Sequence, residues 1–197
     1  DVDMVVQLGD IIDGCNAQLG ASDSALRTVL GVLEHSAASR RFDLIGNHEL
    51  YNIQRDNLPM SGLNCVSPDG RTYHSVHLGT QWTGIFLDPY EHALIGVPKD
   101  HSGYNKAKEV LQVHNPQLFT EGTADWFNGL PVDKHRYVPF NGGVSVEQLD
   151  WLEAVLQAAG SEGRHVLVFT HVPLYTPATK PKTLVWNCED VLSALHR

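Results

Sequence analysis

Four residues of this sequence carry side chains that can bind a metal ion or move a proton: Asp10, Asn47, His48 and His171. They follow apolar segments, in the sequences VVQLGD, FDLIGNH and HVLVFTH. Carboxylate, amide and imidazole groups form a mixed oxygen and nitrogen ligand set that suits Mn²⁺, Fe or Zn²⁺ better than Ca²⁺. A carboxylate can bridge two such ions, and coordination then offsets the cost of removing it from water. The residue types therefore predict a metal centre.

The chemistry open to such a centre is phosphoryl transfer. Two metal ions about 3.5–4 Å apart can generate a hydroxide near neutral pH and hold a phosphoryl group for in-line attack. In this scheme Asp10 is the bridging ligand, and Asn47 and His171 are further ligands. A neighbouring histidine that is not a ligand can protonate the leaving oxygen, so His48 is predicted to be the general acid.

Each of these residues also has an ordinary structural interpretation. Asp10 could bond to backbone amides in the turn after its strand, and Asn47 could be a turn residue with a left-handed backbone. His48 could be a hydrogen-bonded or surface histidine, and His171 an ordinary residue at the end of a strand. The occurrence of all four after buried strands, in this order, favours a common site.

The elements that must position these residues are strands alternating with helices, which indicates the α/β class. Apolar runs predict strands at residues 2–8, 42–45, 71–79, 81–88 and 165–170, with a long loop over 52–72. Amphipathic spacing predicts helices at residues 22–39, 104–114, 145–160 and 188–196. Ligands of open α/β sheets bind outside the carboxyl ends of the strands, and the four polar residues follow such ends.

Two details of these elements can be checked directly. The helix over 145–160 is predicted to begin with a capping box of Ser145 and Gln148. Its buried stripe is predicted to consist of Val146, Leu149, Leu152, Val155 and Leu156. Asp88, at the end of the sequence GIFLD, is interpreted as a strand-end turn residue rather than a site residue.

Composition limits the possible partners and compartment. The 197 residues suffice for one domain with a substantial core. The net charge of −9 argues against a protein that holds nucleic acid by surface charge, and no apolar run reaches the length of a membrane span. Cys15, Cys65 and Cys188 lie far apart and are interpreted as free thiols, which favours the cytoplasm or another reducing compartment.

The sequences GDIIDG, GNHE and THVPL, in this order, resemble three of the five signature blocks of the calcineurin-like metallophosphoesterases. The resemblance implies an α/β/β/α sandwich and two divalent metal ions, with Mn²⁺ foremost and Fe, Zn²⁺ or Mg²⁺ as alternatives. Carried over by position, Asp10 matches the bridging ligand, and Asn47 and His171 match ligands of the second metal. His48 matches the catalytic histidine beside the phosphate.

Further segments resemble one branch of this family, the manganese-dependent ADP-ribose/CDP-alcohol diphosphatases. They are VQLGDIIDGCNAQ, GNHELYN, FLDPYEHALIG, VPFNGGVSVEQLDWL and LVWN. The resemblance implies a small nucleotide-type substrate, cleaved to a nucleoside monophosphate and a phosphorylated alcohol or sugar. It also implies that Asn141, Gly142 and Gly143 lie near the substrate. The alternative interpretation of these three residues is a loop shaped to enter the helix at Ser145.

The sequence departs from the family pattern at both ends. The family's first block, Asp-x-His or Asp-x-Gln, and its last block, Gly-His-x-His, are absent from residues 1–197. We therefore expect a single domain truncated at both ends, with four of the implied ligands missing and with open sheet edges that a partner chain could cover. Two alternatives stay open: an inactive structural subunit of a larger assembly, and a phosphodiesterase acting on a cyclic nucleotide, a nucleotide sugar or a phospholipid head group.

Overall fold

The computed structural model describes residues 2–35, 38–120, 122 and 125–197. The strands are Met4–Gln7 (β1), Arg40–Asp43 (β2), His74–Leu78 (β3), Trp82–Phe86 (β4) and His165–Phe169 (β5). The α-helices are Cys15–Gln18 (α1), Ser22–Glu34 (α2), Asn47–Asn52 (α3), Ser102–His114 (α4), Val146–Ser161 (α5) and Cys188–Leu195 (α6). Short 3₁₀ helices lie at Arg55–Met60, Pro116–Phe119, Val132–Lys134 and Thr176–Ala178.

The five strands form two sheets. In the first sheet β1 and β2 are parallel, with Val5 opposite Arg41. In the second sheet the order is β3-β4-β5, with β3 antiparallel and β5 parallel to β4. β3 and β4 form a hairpin, and its turn contains Gly79 with a φ of 69°, a conformation that favours glycine.

The two sheets pack on each other through an apolar layer. Helices α2, α3, α5 and α6 bury apolar residues in a second, larger core, and α4 buries Ala107 and Leu111 in a third cluster. The layer between the sheets consists of Phe42, Leu44 and Phe86, with Met4, Val6, Val76, Leu78 and Phe169 packed against it. The neighbouring strand residue Ile85 belongs instead to the core that contains Leu152 of α5 and Val191 of α6. Successive strand residues point to opposite faces, so β4 contacts the other sheet on one side and the helical core on the other. This is the arrangement of a sandwich with helices outside, as predicted.

Some element bounds differ from the prediction for physical reasons. β2 covers residues 40–43 rather than 42–45, because its pairing with β1 sets its extent. The amide of Leu44 donates to the carbonyl of Gln7, and after Leu44 the chain turns towards the site. The helix predicted over 22–39 ends at Glu34. Its predicted continuation includes Ser36 and Ala37, which lie outside the described residues. The loop predicted over 52–72 contains a 3₁₀ helix.

The start of α5 only partly matches its prediction. Ser145 is the N-cap, and its Oγ accepts a hydrogen bond of 3.0 Å from the amide of Gln148. The side chain of Gln148 is fully buried and bonds to the backbone N and O of Asp88 instead of returning to Ser145, so the predicted capping box is wrong in that half. Val146 is 65% exposed and does not belong to the buried stripe, whereas Leu152 is buried.

Glu91 is a partly buried carboxyl beside this helix start. Its Oε2 accepts hydrogen bonds from the amide of Ser145 at 3.1 Å and from Nε2 of Gln148 at 2.5 Å. Burial raises the pKa of Glu91, the nearby charge of Asp88 raises it further, and the two hydrogen bonds oppose the change without cancelling it. The folded state therefore binds the Glu91 proton more tightly than the unfolded state does.

We expect the substitution Glu91→Gln to change the pH dependence of stability. The stability that the Glu91 proton contributes is fully present below the usual glutamate pKa and is lost as pH rises through the raised pKa of the folded state. The amide that replaces the carboxyl stays neutral. As pH rises across this window, the free energy of unfolding of the variant should therefore increase relative to that of the wild type. Urea unfolding at pH 4 and pH 8 measures the difference, with Glu109→Gln on the surface of α4 as the control. A difference that is independent of pH would contradict the expectation.

The three cysteines are free, as predicted: Cys15 is exposed, and Cys65 and Cys188 are buried. Burial raises the pKa of the Cys65 thiol to about 12, with nearby carboxylates adding to the effect. Across the part of the chain that the structure describes, no helix is long and apolar enough to cross a membrane.

Candidate metal centre

The loop after β1 turns through two residues with a left-handed backbone. Gly9 has a φ of 95°, and Asp10, with a φ of 59°, is the one residue other than glycine with a positive φ in the described part of the chain. A Cβ on Gly9 would overlap Nδ1 of His171. Glycine at this position therefore lets the loop pack directly against the residue that follows β5.

The loop after β2 packs against the same turn. It contains Gly46, which is buried and immediately precedes Asn47 at the start of α3. A Cβ on Gly46 would overlap both Oδ1 and the backbone N of Asp10. The two loops are in contact because both contact positions lack side chains, and this contact brings Asp10 next to the start of α3.

The three predicted metal ligands lie together at this place. Nε2 of His171 is 3.6 Å from Oδ1 of Asp10 and 3.4 Å from Oδ1 of Asn47. Nδ1 of His171 lies 2.7 Å from the carbonyl oxygen of Leu8. A carbonyl only accepts, so Nδ1 carries the ring proton of the neutral histidine and Nε2 presents a lone pair to the two oxygens.

These residues fit a divalent metal ion. Three atoms that can each donate an electron pair face one another, an arrangement that a cation stabilises. Two ligand atoms that each lie about 2.0–2.2 Å from one ion can be at most about 4.4 Å apart. The separations of 3.6 and 3.4 Å between the ligand atoms here meet this condition. Among the described residues no group of three or more His, Cys, Asp and Glu side chains is arranged to hold a metal ion. The present centre is not such a group, because its third donor is an asparagine. The bond from His171 to Leu8 orients the imidazole as outer contacts of metal ligands do.

His48 lies beside the three donors and is held by two backbone contacts. Its amide donates a hydrogen bond of 2.9 Å to Oδ1 of Asp10. Its Nδ1 accepts a hydrogen bond of 2.8 Å from the amide of Gly14. Since an amide only donates, the proton of the neutral ring is on Nε2, where it can form a hydrogen bond to a substrate. His48 thus contacts Asp10 through its backbone, and its ring is bonded to Gly14; its role as general acid stays a prediction.

Three residues near the centre were missed by the sequence analysis. Glu49 is fully buried and bonds to both loops. The ring of Tyr51 lies 5.5 Å from that of His48, and burial together with the charge of Asp10 raises the pKa of its hydroxyl. Tyr90 is buried with its ring 6.2 Å from that of His171. The one available signal was Glu49 in the sequence GNHE, because a glutamate in the first turn of a helix can reach back to the preceding amide.

The segment predicted to lie near the substrate has structural contacts of its own. Nδ2 of the buried Asn141 donates to the carbonyls of Arg136 and Lys182, at 2.9 and 2.8 Å. Gly143 exchanges two backbone hydrogen bonds with His92. These contacts give Asn141 and Gly143 a role in shaping the loop before α5. Their contact with a substrate stays a prediction.

Gly142 connects this loop to the neighbourhood of the metal centre. A Cβ on Gly142 would overlap the carbonyl of Pro89 and crowd the backbone of Tyr90. The hydroxyl of Tyr90 donates to the carbonyl of Phe140 at 3.4 Å. Tyr90 therefore lies between the loop and His171.

Asp88 does not belong to the centre. It is buried and forms an ion pair with Arg55, whose Nη1 lies 2.6 Å from its Oδ2. It also accepts hydrogen bonds from the amide of Tyr90 and from the hydroxyl of Thr72. The interpretation of Asp88 as a strand-end structural residue is confirmed.

Comparison with known proteins agrees with this geometry. The profile of the calcineurin-like phosphoesterase family matches residues 1–194. A Danio rerio protein named manganese-dependent ADP-ribose/CDP-alcohol diphosphatase is 36% identical over 206 residues, which cover 99% of this chain and 63% of that protein. The protein of the same name from Homo sapiens is 34% identical over 205 residues, covering 97% of this chain and 58% of its own length. The chain thus spans about three-fifths of the length of these relatives.

A solved structure is similar as well. The crystal structure of a dimetal phosphatase from Danio rerio superposes with a TM-score of 0.86 at 35% sequence identity, over 98% of this chain and 62% of that chain. The match confirms the predicted sandwich, and the family match extends over nearly the whole sequence. By fold and by sequence, this chain belongs to the calcineurin-like phosphoesterase family.

Proposed function

We propose that this protein hydrolyses the diphosphate linkage of a nucleoside diphosphate compound such as ADP-ribose or a CDP-alcohol, in a manganese-dependent reaction. The products are a nucleoside monophosphate and a phosphorylated sugar or alcohol. The observation that carries the proposal is the convergence of Asp10, Asn47 and His171 on one point. The names of the relatives supply the substrate class and the metal.

The proposed centre takes two divalent metal ions, of which Asp10 would bridge both and Asn47 and His171 would hold one. When bound, the metals supply polarisation of the phosphoryl oxygens and a water molecule of lowered pKa. The side chain of Asp10 is 34% exposed, so its carboxylate is open to ions and substrate. His171 needs no rearrangement to act as a ligand, because its Nε2 already presents a lone pair.

His48 has the proton that the leaving group requires. In the hydrolysis, a bond forms between the oxygen of water and one phosphorus, and the bond from that phosphorus to the bridging oxygen breaks. Transfer of the Nε2 proton of His48 to this oxygen as it leaves requires the ring to be doubly protonated, because a neutral imidazole would become an anion. The ring is neutral after the transfer, and the proton that the attacking water loses can restore its charge. The hydrogen bond from Gly14 places the proton of the neutral ring on Nε2, and this bond must open for Nδ1 to take up the second proton.

The substrate beyond the phosphates is proposed to contact the loop of Asn141, Gly142 and Gly143. The position of Tyr90, between this loop and His171, supports the proposal. Because Nδ2 of Asn141 is bonded to two carbonyls, the contacts offered to a substrate would come from other atoms of the loop rather than from this amide group.

The experiment that tests the proposed function is hydrolysis of ADP-ribose and of a CDP-alcohol, followed by chromatography of AMP and CMP. We expect release of both nucleotides with Mn²⁺, loss of release with EDTA, and recovery when Mn²⁺ is added in excess. A cyclic nucleotide, a nucleotide sugar and a phospholipid head-group diester serve as competing substrates. Failure of the protein to bind Mn²⁺, together with no turnover of any of these compounds, would favour an inactive structural subunit.

The compartment and the partner are proposals of the same kind. Three free thiols support a reducing compartment such as the cytoplasm. Within the described ranges β1 pairs only with β2 and β5 only with β4, and open strand edges favour pairing with a further strand, which a partner chain could provide. The net charge of −9 supports a partner other than nucleic acid.

A further inference from the structure

Glu49 connects the two loops that carry the metal ligands. It lies in the first turn of α3 and its side chain is fully buried. Its Oε2 accepts hydrogen bonds of 2.7 Å from the amides of both Asp10 and Gly46. Its Oε1 accepts a hydrogen bond of 2.6 Å from the amide of Ile11. One carboxylate thus binds the loop after β1 and the loop after β2.

Two of the three amides that Glu49 binds lie in the turn at Asp10, which has an unfavourable backbone conformation. Asp10 has a φ of 59°, which is unfavourable for a residue with a Cβ. Successive amides that converge on an anion stabilise such a turn, and the amides of Asp10 and Ile11 converge on Glu49 in this way. Without the carboxylate the turn would lose this stabilisation, and Asp10 could return to an ordinary backbone conformation that directs its side chain elsewhere.

We propose that Glu49 is a positioning residue of the metal centre, which holds Asp10 in the conformation that faces Asn47 and His171. This inference rests on the proposed function, because it assigns Glu49 a purpose that exists only if these residues bind metal. Glu49 does not touch the metal in this proposal. It acts through the backbone of Asp10, and the amide of the neighbouring His48 fixes the side-chain oxygen of Asp10 at 2.9 Å.

Two substitutions at Glu49 test this role by different chemistry. In Glu49→Gln the shape is kept, but one oxygen becomes an NH₂ group that faces a backbone N–H. In Glu49→Asp the charge is kept, but the side chain is one methylene shorter and cannot reach both loops. Asp43→Asn is the matched control, since Asp43 is also a buried carboxylate but bonds to the amide of Asn64 and to Arg41 instead of the site loops.

The primary measurement is the dissociation constant for Mn²⁺, obtained by titration calorimetry on proteins whose circular dichroism and melting show that they are folded. We expect both Glu49 variants to bind Mn²⁺ about 10- to 100-fold more weakly than the wild type, and Asp43→Asn to bind with unchanged affinity. If Glu49→Gln does not fold, Glu49→Asp provides the comparison. Wild-type affinity in a folded Glu49 variant would overturn the proposal, and so would equal weakening in all three variants.

A second readout separates failure of this inference from failure of the proposed function. Amide resonances and hydrogen exchange report on Asp10, Ile11 and Gly46 in the metal-free protein. Loss of protection at these amides in Glu49→Gln, together with weakened Mn²⁺ binding, supports the positioning role. If the wild type itself binds no Mn²⁺ while the same amides lose protection, the proposed function fails and Glu49 is only a structural contact. If the wild type binds Mn²⁺ and the amides do not change, the proposed function stands and the positioning role fails.

Discussion

The substitution His48→Ala is expected to lower kcat for the proposed hydrolysis of ADP-ribose by about 10²–10⁴-fold, because general acid catalysis contributes on that scale. Mn²⁺ affinity should stay close to that of the wild type. The contact of His48 with Asp10 is made by the backbone amide, which alanine keeps, and the imidazole is bonded to Gly14 rather than placed among the metal ligands. Steady-state kinetics and calorimetric titration of Mn²⁺ together check the expectation.

The role of the lost proton can be tested through the leaving group. A nucleoside phenyl phosphate releases a poorer leaving group than the p-nitrophenyl ester, so the variant should lose more activity with the phenyl ester. His77→Ala is the control, since His77 lies exposed on β3 and should leave both rates unchanged. Equal losses with the two esters would point to an electrostatic rather than a proton-donating role, and an unchanged kcat would remove His48 from the catalytic machinery.

The substitution with the largest expected effect on stability is Arg55→Ala. The guanidinium of Arg55 makes two contacts with the buried carboxylate of Asp88, at 2.6 and 3.3 Å, and donates to the carbonyl of Tyr90 at 2.7 Å. Burial alone would lower the pKa of Arg55, but the charge of Asp88, its hydrogen bond and the charge of nearby Glu91 together outweigh burial, and the net pKa is raised. Removal of one partner leaves an uncompensated buried charge, which costs about 3–5 kcal/mol. For a chain of this size we expect Tm to fall by about 6–20 °C.

Two further variants test whether the unpaired charge causes the fall in Tm of Arg55→Ala. Arg197→Ala removes an exposed ion pair with Glu153 and should change Tm by less than about 2 °C. The double variant Arg55→Met with Asp88→Asn removes both charges and should melt above Arg55→Ala, because no unpaired charge is then buried. Calorimetric melting at one pH compares all four proteins. A double variant no more stable than the single one would show that lost packing, rather than the unpaired charge, causes the effect.

The meeting of Asp10, Asn47 and His171 at one place could be predicted from the sequence because the signals are local. Asp10, Asn47 and His171 each follow an apolar segment, and the sheet topology brings the ends of such segments together. The supporting contacts could not be predicted in this way. The bond from Glu49 to Asp10 joins residues 39 positions apart, and the bond from Gln148 to Asp88 joins residues 60 apart. Such partners depend on how the loops meet in three dimensions.

The errors in the predicted elements have the same origin. The position of β2 depends on its register with β1, which places Arg40 and Arg41 in the strand although they are not apolar. Val146 fits the apolar stripe of α5 by spacing, yet it lies in the first turn, where the helix projects beyond the core and leaves the side chain exposed. Periodicity describes an element in isolation, whereas burial depends on what covers it.

The donors of the metal centre come from different sheets. Asp10 and Asn47 follow strands of the first sheet, and His171 follows β5 of the second. The centre therefore lies at the boundary between the two sheets, where the bond from His171 to the carbonyl of Leu8 also joins them. A metal ion held there would link the two sheets, because movement of one sheet along the other would lengthen the distances between the ion and its ligands. Occupancy of the centre would therefore add to the cohesion that the apolar layer already gives the two sheets.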